Sequence, residues 1–444
     1  MEKRRAVVIG AGLGGLSAAS MLAKKGIPVL VIEQSGGPGG RARVITKDGF
    51  TLEYGVHSYR YAEQSAAQEI MARLGVMPEW IKETHANFLI KGKDLVPLSG
   101  RARQTSELAQ KYFPKEEVET LRQVMAKMVM DQPEKWFRKP VSEYMGKLLA
   151  DEKILLLAKL ICFQVMEPDP AKCSAGELIV HLRRSLEAGV PAAQMRGSSK
   201  AIIDRMVSAV LDAGGEIKYR DRALALSIEK GRVISADTSE GELEAEAFIY
   251  AAPIQQFFKI APAEAFPEKW MRRARKLEPV SGVAIDFALR ETLSDLKGWM
   301  VEPELGIMGK FPSNLDPSLA PEGKQLSSWL ITMPREKVND PEATRLSIHK
   351  LRSQIKRVFP DFFGLTEWER ILVLPVVDGA ALTIKQSVLD RPGIAAPGIA
   401  NLFFAGDCVA APGASGEIAL RSGMEAAEKC AEFLGGVAAE APGA

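Results

Sequence analysis

A run of β-branched residues, Arg5 to Ile9, gives way at once to GAGLGG and then to Leu16, Ala19 and Ala23, spaced as one apolar face of a helix. Few architectures accept a strand that turns into a helix through closely set glycines. Gly10, Gly12 and Gly15 hold the three positions of a GxGxxG turn, with Gly14 between them. Gly10 permits the tight turn, Gly12 lets bare backbone approach a pyrophosphate, and Gly15 lets helix and strand pack closely. The phosphate then sits at the positive end of the helix. A second strand, Val29 to Ile32, ends at Glu33, close to the roughly 20-residue distance at which an acidic side chain accepts hydrogen bonds from a ribose. Gln34 follows it. Lys3, Arg4 and Arg5 ahead of AVVIGAGL also imitate an export signal. A signal peptide has no use for Glu33, so the stretch reads as a nucleotide site.

At 444 residues the chain exceeds the size of a single core, and two domains are expected. Its 58 basic and 56 acidic side chains nearly cancel, which gives no electrostatic reason to expect nucleic acid. Cys162, Cys173, Cys408 and Cys430 are too scattered for a disulfide framework and fit a reducing, cytoplasmic setting. His57, His85, His181 and His349 show no metal-ligand spacing, so no metal is expected. The most apolar run, Ile154 to Met166, falls short of the roughly 20 residues of a membrane span. Buried core is the expectation for it, ahead of a pocket wall or a lipid-facing patch.

Glycines and a carboxylate suit NAD and FAD alike, and the choice comes from the segment that follows. In QSGGPGGRARV, Gly36, Gly37, Gly39 and Gly40 allow backbone to hug a ligand, and Arg41 and Arg43 set positive charge beside it. GAGLGG, Glu33, GGRAR and GFTLEYGVHSY together resemble the amino-terminal signature of the flavin superfamily of amine oxidases, protoporphyrinogen oxidases and phytoene-type desaturases. The resemblance implies FAD as cofactor and an approach of Arg41 to its pyrophosphate.

The carboxyl-terminal end supports this separately. NLFFAGDCVAAPGASGEIALRSGMEAAEKCAEFL reads as a strand from Leu402 to Ala405, a turn at Gly406 and Asp407, a glycine-rich loop, and a helix from about Glu417. An aspartate at a strand end can bond a ribityl chain, and a helix start can steady charge on a reduced ring. Gly416, Glu417 and Ile418 are therefore expected beside the cofactor. A middle segment, GGEIKYRDRALALSIEKGRVISADTSEGELEAEAFIYAAP, alternates as hairpin strands. By the resemblance Ala223 contacts adenine through its backbone, and the strand ending at Ala252 returns beneath the cofactor. The chain departs from the pattern at GSSKAIIDRM, where Ser198 and Ser199 replace a glycine pair.

The expected fold is α/β: a Rossmann-type FAD-binding domain, with a parallel sheet, helices and an inserted β-hairpin layer, beside an α+β substrate domain. Residues 1–80, 193–255 and 395–436 are assigned to the first, 81–192 and 256–394 to the second, and 437–444 to a flexible tail. Within the second, Val118, Leu121, Met125 and Met128 form a helical stripe, Ser174 and Glu177 a capping box, and 81–192 reads as mostly helices. GVAIDFAL, LSSWLITM and ILVLPVV are strand-like, and Asp340 with Pro341 opens a helix.

A flavin beside an apolar pocket needs no catalytic triad, and none is visible. The loop AAPGASGEIAL lacks the aromatic residue that amine oxidases of this superfamily place there, and Leu374 to Ala405 lacks the cysteine of covalent-flavin forms. APGASG followed by RSG resembles elements of phytoene desaturases. The resemblance therefore implies removal of hydride from a lipophilic, isoprenoid or carotenoid-like molecule, with peripheral membrane contact. Amine or porphyrinogen oxidation is the runner-up. A prenyl-binding protein without redox activity, on the scaffold of Rab GDP-dissociation inhibitors, is the alternative of another class. His57, Tyr59 and Glu417 stand nearest the reacting centre, His57 to shuttle a proton and Glu417 to accept one or to cap the last helix. No oligomeric state is assigned.

Overall fold

Arg4–Ile9 is the hub of a parallel sheet, with Val29–Glu33 on one side and Gly241–Tyr250 on the other. The computed structural model describes residues 4–55, 58–99 and 106–440. Glu216–Tyr219 extends the sheet beyond Val29–Glu33, and Leu402–Phe404 extends it beyond Gly241–Tyr250. Every residue of Val29–Glu33 is buried, which explains its unbroken apolar run: helices cover both faces. The amino-terminal half of Gly241–Tyr250 leaves this sheet and pairs antiparallel with Arg232–Thr238, which pairs in turn with Ala223–Glu229. Only those three strands form the hairpin layer. Glu216–Tyr219, expected within it, instead runs parallel to Val29–Glu33, with Glu216 opposite Leu30.

Three helices close on the first sheet because small residues let them. Leu13–Lys24 packs against Lys200–Asp212 and against the last helix, Gly416–Glu440. A Cβ on Gly15 would lie 1.9 Å from the carbonyl oxygen of Gly10, so only glycine lets the helix leave the strand at this angle. A Cβ on Gly14 would lie 2.9 Å from the Gly406 nitrogen, which ties the first motif to the last. The last helix starts one residue before the expected Glu417. It runs on to Glu440, past the boundary set at 436 and into the segment expected as a flexible tail.

A second, seven-stranded sheet is built from Thr366–Asp378, Val280–Leu289, Gln325–Met333, Ile307–Lys310, Met300–Glu302, Phe88–Lys91 and Asp94–Pro97, in that order. Phe88–Lys91 and Asp94–Pro97 come from the stretch expected to be mostly helical. They pair through a turn in which Gly92 takes the left-handed φ of +65°. Pro341–Val358 packs Leu351 and Ile355 onto this sheet, and Asp340 caps it by accepting from the Glu342 nitrogen at 2.9 Å.

Two helical expectations need correction. Ser174 accepts from the Glu177 nitrogen at 3.3 Å, but the Glu177 carboxylate turns to the Val388 nitrogen at 2.6 Å and to Arg391, so only half of the capping box forms. The Ile154–Met166 run is not plain core. Its helix, Glu152–Phe163, buries Ile154, Ala158 and Cys162, while Leu157, Leu160 and Ile161 on another face line a cavity. Among the described residues no helix is long and apolar enough to cross a membrane.

Candidate cofactor and substrate site

The two sheets enclose a cavity of about 1140 Å³. That exceeds the roughly 300–1,000 Å³ usual for one ligand and leaves room for a large cofactor and a second molecule together. Gly10, Gly12, Gly14, Glu33, Gln34, Gly40 and Arg41 line one end, joined by Ala223, Ala252, Gly406, Asp407, Gly416 and Glu417. Residues from the first and last tenths of the chain thus share one wall. Gly15 and Ile418 do not reach it. Gly15 is sealed behind the turn as its packing role requires, and Ile418 is buried among Leu178, Leu182 and Ala414, one helical step past the wall.

The glycine turn is shaped for an anion. Gly12 precedes Leu13–Lys24 with no side-chain cap, and the first turn of that helix holds no acidic residue. Its opening N–H groups therefore keep their donors and the positive end of the dipole stays uncompensated. A Cβ on Gly12 would meet nothing within 4 Å, so the bare backbone borders open space. Glu33 is fixed at its strand end by accepting from the Ala11 nitrogen at 2.9 Å and the Ser35 nitrogen at 2.8 Å, with its carboxylate at the cavity. These groups fit a dinucleotide: a phosphate site at the helix start and a ribose acceptor beside it.

Arg41 and Asp407 were expected to act on different parts of the cofactor, and the structure pairs them. The guanidinium binds both carboxylate oxygens and also donates to the Val377 carbonyl at 3.0 Å. Burial works to raise Asp407, but Arg41 outweighs it and holds the carboxyl below its usual range. Burial likewise works to lower Arg41, and Asp407 reverses the sign. Asp407 also accepts from the Gly379 nitrogen at 2.7 Å.

Glu417 borders the cavity as expected, but its carboxylate is bound by partners other than the backbone of the last helix. One oxygen accepts from the Ala66 nitrogen at 2.8 Å, at the start of the helix Ala66–Arg73, and the other accepts from Arg184 and Arg421, both at 2.8 Å. With its side chain 1% exposed it is a saturated tie between helices, and it caps a different helix from the one foreseen. Tyr59 does reach the cavity wall, packed edge-on against Trp80, and burial raises its phenol above the ordinary value. His57 lies outside the described residues.

Sequence reasoning missed Asp378 and Ser415. Asp378 ends the strand Thr366–Asp378 at the cavity wall, and its Oδ2 accepts from the Ser415 hydroxyl at 2.7 Å. Burial and then Asp407 push its carboxyl up to about 6, against the pull of Ser415, Arg41 and Arg60. An aspartate directly after an apolar strand run was the available signal. Apolar side chains line much of the far end of the cavity: Val118, Leu121 and Met125 from the helix Lys115–Met130, Leu157, Leu160 and Ile161 from the next wall, and Leu374 to Val376 from the strand that ends in Asp378, with Glu83, Asn87, Arg122 and Gln164 as polar members of the lining. Among the described residues the four cysteines are free and buried, and no cluster could hold a metal.

A parallel sheet with a phosphate-ready glycine turn, opening into an apolar chamber, defines a dinucleotide-dependent enzyme of the flavoprotein type. Residues 13–431 match the family of flavin containing amine oxidoreductases, and the chain belongs to it. It is a flavin-containing oxidoreductase and its cofactor is FAD. Similar relatives include a prolycopene isomerase of chloroplasts from Daucus carota, 24% identical over 378 residues, a match covering 72% of this chain and 60% of the relative. A zeta-carotene-forming phytoene desaturase from Myxococcus xanthus is 54% identical over 54 residues, 12% of this chain and 10% of that one. The chain thus spans less than two thirds of the curated relatives it matches. An oxidoreductase from Methanosarcina mazei shares the fold, with a TM-score of 0.78 at 20% identity over 96% of this chain and all of the other.

Proposed function

We propose that this chain is a FAD-dependent dehydrogenase of the desaturase type, removing hydride from a lipophilic, isoprenoid or carotenoid-like substrate. The observation that carries the reading is that one cavity holds both a glycine and carboxylate end and walls rich in Leu, Ile, Val and Met. When bound, FAD supplies the two-electron oxidant that accepts the hydride. The chain's own residues do the rest. The uncapped start of Leu13–Lys24 and bare Gly12 hold the pyrophosphate, Glu33 accepts from the ribose, and the Arg41–Asp407 pair fixes the turn at Gly406. Leu157, Leu160 and Ile161 line the chamber together with Leu121 and Met125, where they exclude water and align an extended apolar chain.

The chamber offers no ring of aromatic side chains from the loop before the last helix, where Ala414, Ser415 and Gly416 form the wall. This favours a hydrocarbon over an amine. A second reading rests on Arg60. It lines the cavity with one hydrogen bond among the described residues, to the Gln164 carbonyl at 2.7 Å, so its remaining donors suit a carboxylate such as that of a porphyrinogen. Membership in an oxidoreductase family speaks against the prenyl binder without redox activity. Peripheral membrane contact belongs to the proposal as the route by which such a substrate arrives.

Anaerobic mixing of FAD-loaded protein with phytoene, cyclohexylamine or protoporphyrinogen tests the reading. Phytoene is expected to bleach the visible flavin band; bleaching by the amine or the porphyrinogen alone would overturn it.

A further inference from the structure

Desaturation needs more than an oxidant. Converting a saturated pair of carbons into a double bond breaks two C–H bonds. One hydrogen departs with its electron pair as hydride, to FAD; the other departs as a proton, and its electron pair becomes the new π bond. The Leu, Ile, Val and Met side chains of the chamber cannot receive that proton, and Glu83, which also lines the cavity, is bound by Lys310 at 3.0 Å, by the Ser58 hydroxyl and by the Trp299 indole N–H at 2.8 Å. The glycine end is equally unsuited, since Glu33 and Asp407 are held by backbone N–H groups and by Arg41, and Glu417 is bound by two arginines and an amide. Each of these carboxylates is already committed as an acceptor.

Asp221 keeps one oxygen without a partner among the described residues, but its backbone N–H donates to the Glu33 carbonyl at 3.0 Å, which holds it at the glycine end; Asp378 stands where the two ends meet. The strand Thr366–Asp378 runs along the apolar wall with Leu374, Pro375 and Val376, and Asp378 is its last residue. Its Oδ2 accepts from the Ser415 hydroxyl; its Oδ1 accepts no hydrogen bond among the described residues. Ser415 is itself unusual. It sits immediately before the last helix at φ +54°, a left-handed conformation that a serine adopts only at some cost and that surrounding structure must maintain. That conformation turns its hydroxyl onto Asp378. The next residue, Gly379, donates its N–H to Asp407, and a Cβ there would lie 2.3 Å from the Asp407 Oδ1, so the strand end is pinned against the cofactor motif.

We propose that Asp378 receives the proton released in dehydrogenation, on Oδ1, with Ser415 as the residue that positions it. This deepens the desaturase reading and rests on it. The charged groups that face Asp378 are Asp407 across the strand end, Arg41 from the glycine loop, and Arg60 from the strand Tyr59–Arg60. Burial and Asp407 favour the protonated form, whereas Ser415 and the two arginines keep a charged form within reach. A carboxyl pushed up to about 6 is a base at neutral pH that retains a captured proton better than an ordinary aspartate would.

The test uses FAD-loaded wild type, Asp378→Asn and Ser415→Ala. In anaerobic stopped-flow with phytoene, the wild-type rate of flavin reduction should rise with pH through about 6 and then level. Asp378→Asn should be slower by on the order of 100-fold and lose the inflection. Ser415→Ala, which keeps the carboxyl but removes the hydrogen bond that lowers it, should shift the inflection to higher pH. A second readout needs no substrate: spectroelectrochemical titration of the flavin midpoint potential from pH 5 to 8. The wild type should show an extra steepening near the same pH, and Asp378→Asn should not. A variant Asp378→Asn that keeps both the inflection and the steepening overturns the proposal. If phytoene fails to reduce the wild type, the substrate reading falls, while the potential titration still decides whether Asp378 exchanges its proton with flavin reduction.

Discussion

The two ends of the cavity are built on opposite principles. At the glycine end, backbone makes the surface: an uncapped helix start, Gly12 without a side chain and Glu33 at a strand tip, with few positions open to change. At the apolar end, side chains from two helices and a strand make the surface, and volume and hydrophobicity matter more than identity. One end is set by exact backbone approach and the other by bulk, so the same kind of substitution should injure them differently.

The sharpest contrast lies within the glycine turn itself. Gly15→Ala places a methyl against the Gly10 carbonyl and the Ala251 Cβ, with nothing flexible to yield, and should cost about 3 kcal/mol or more in thermal or urea unfolding. Gly12→Val should leave the unfolding midpoint of the FAD-free protein nearly unchanged, because its side chain enters open space. Equilibrium dialysis should show its FAD affinity lower by on the order of 100-fold. Equal stability losses in the two variants would break the comparison.

At the seam between the ends, Asp378→Asn should stabilise the FAD-free protein at pH 7. Burial and Asp407 raise the folded-state value to about 6, above that of the unfolded chain. The folded protein therefore binds the extra proton between about pH 4 and 6. The stability this confers is fully present below about pH 4 and is lost as pH rises through 6. The asparagine variant escapes that loss, so its advantage should reach no more than about 3 kcal/mol at pH 7 and vanish below pH 4. Urea unfolding at both pH values measures it.

On the apolar wall, Leu160→Gln should keep FAD bound and slow flavin reduction by phytoene about tenfold, the effect of roughly 1.4 kcal/mol of lost apolar contact. Far from both ends, Asp340→Ala removes the cap of Pro341–Val358 and should cost about 1 kcal/mol without altering the flavin spectrum. A change in FAD binding there would show that the second sheet governs the cofactor end as well.

What the sequence made legible follows the same division. Gly10, Gly12, Glu33 and Asp407 could be placed from their own neighbours, because a turn that admits a phosphate restricts local residue choice. Glu216–Tyr219 could not: EIKY beside three true hairpin strands looks like a fourth, and its partner, Val29–Glu33, is fixed only by the packed tertiary structure. The apolar run from Ile154 has no period that separates core from chamber, since Leu157 and Ala158 differ only in which neighbours they meet. Asp378 carries no motif at all. Its character comes from Ser415 and Asp407, some 30 to 40 positions away in sequence and adjacent only after folding.

The account stands on one cavity shared by a cofactor and an apolar partner, and a crystal structure of the FAD-loaded protein tests it most directly. It predicts pyrophosphate density at the start of Leu13–Lys24 and the flavin ring reaching toward Ser415 and Asp378, with the chamber of Leu121, Leu157 and Ile161 left open beside it. FAD bound elsewhere, or a chamber closed by its own side chains once FAD is in place, would contradict it.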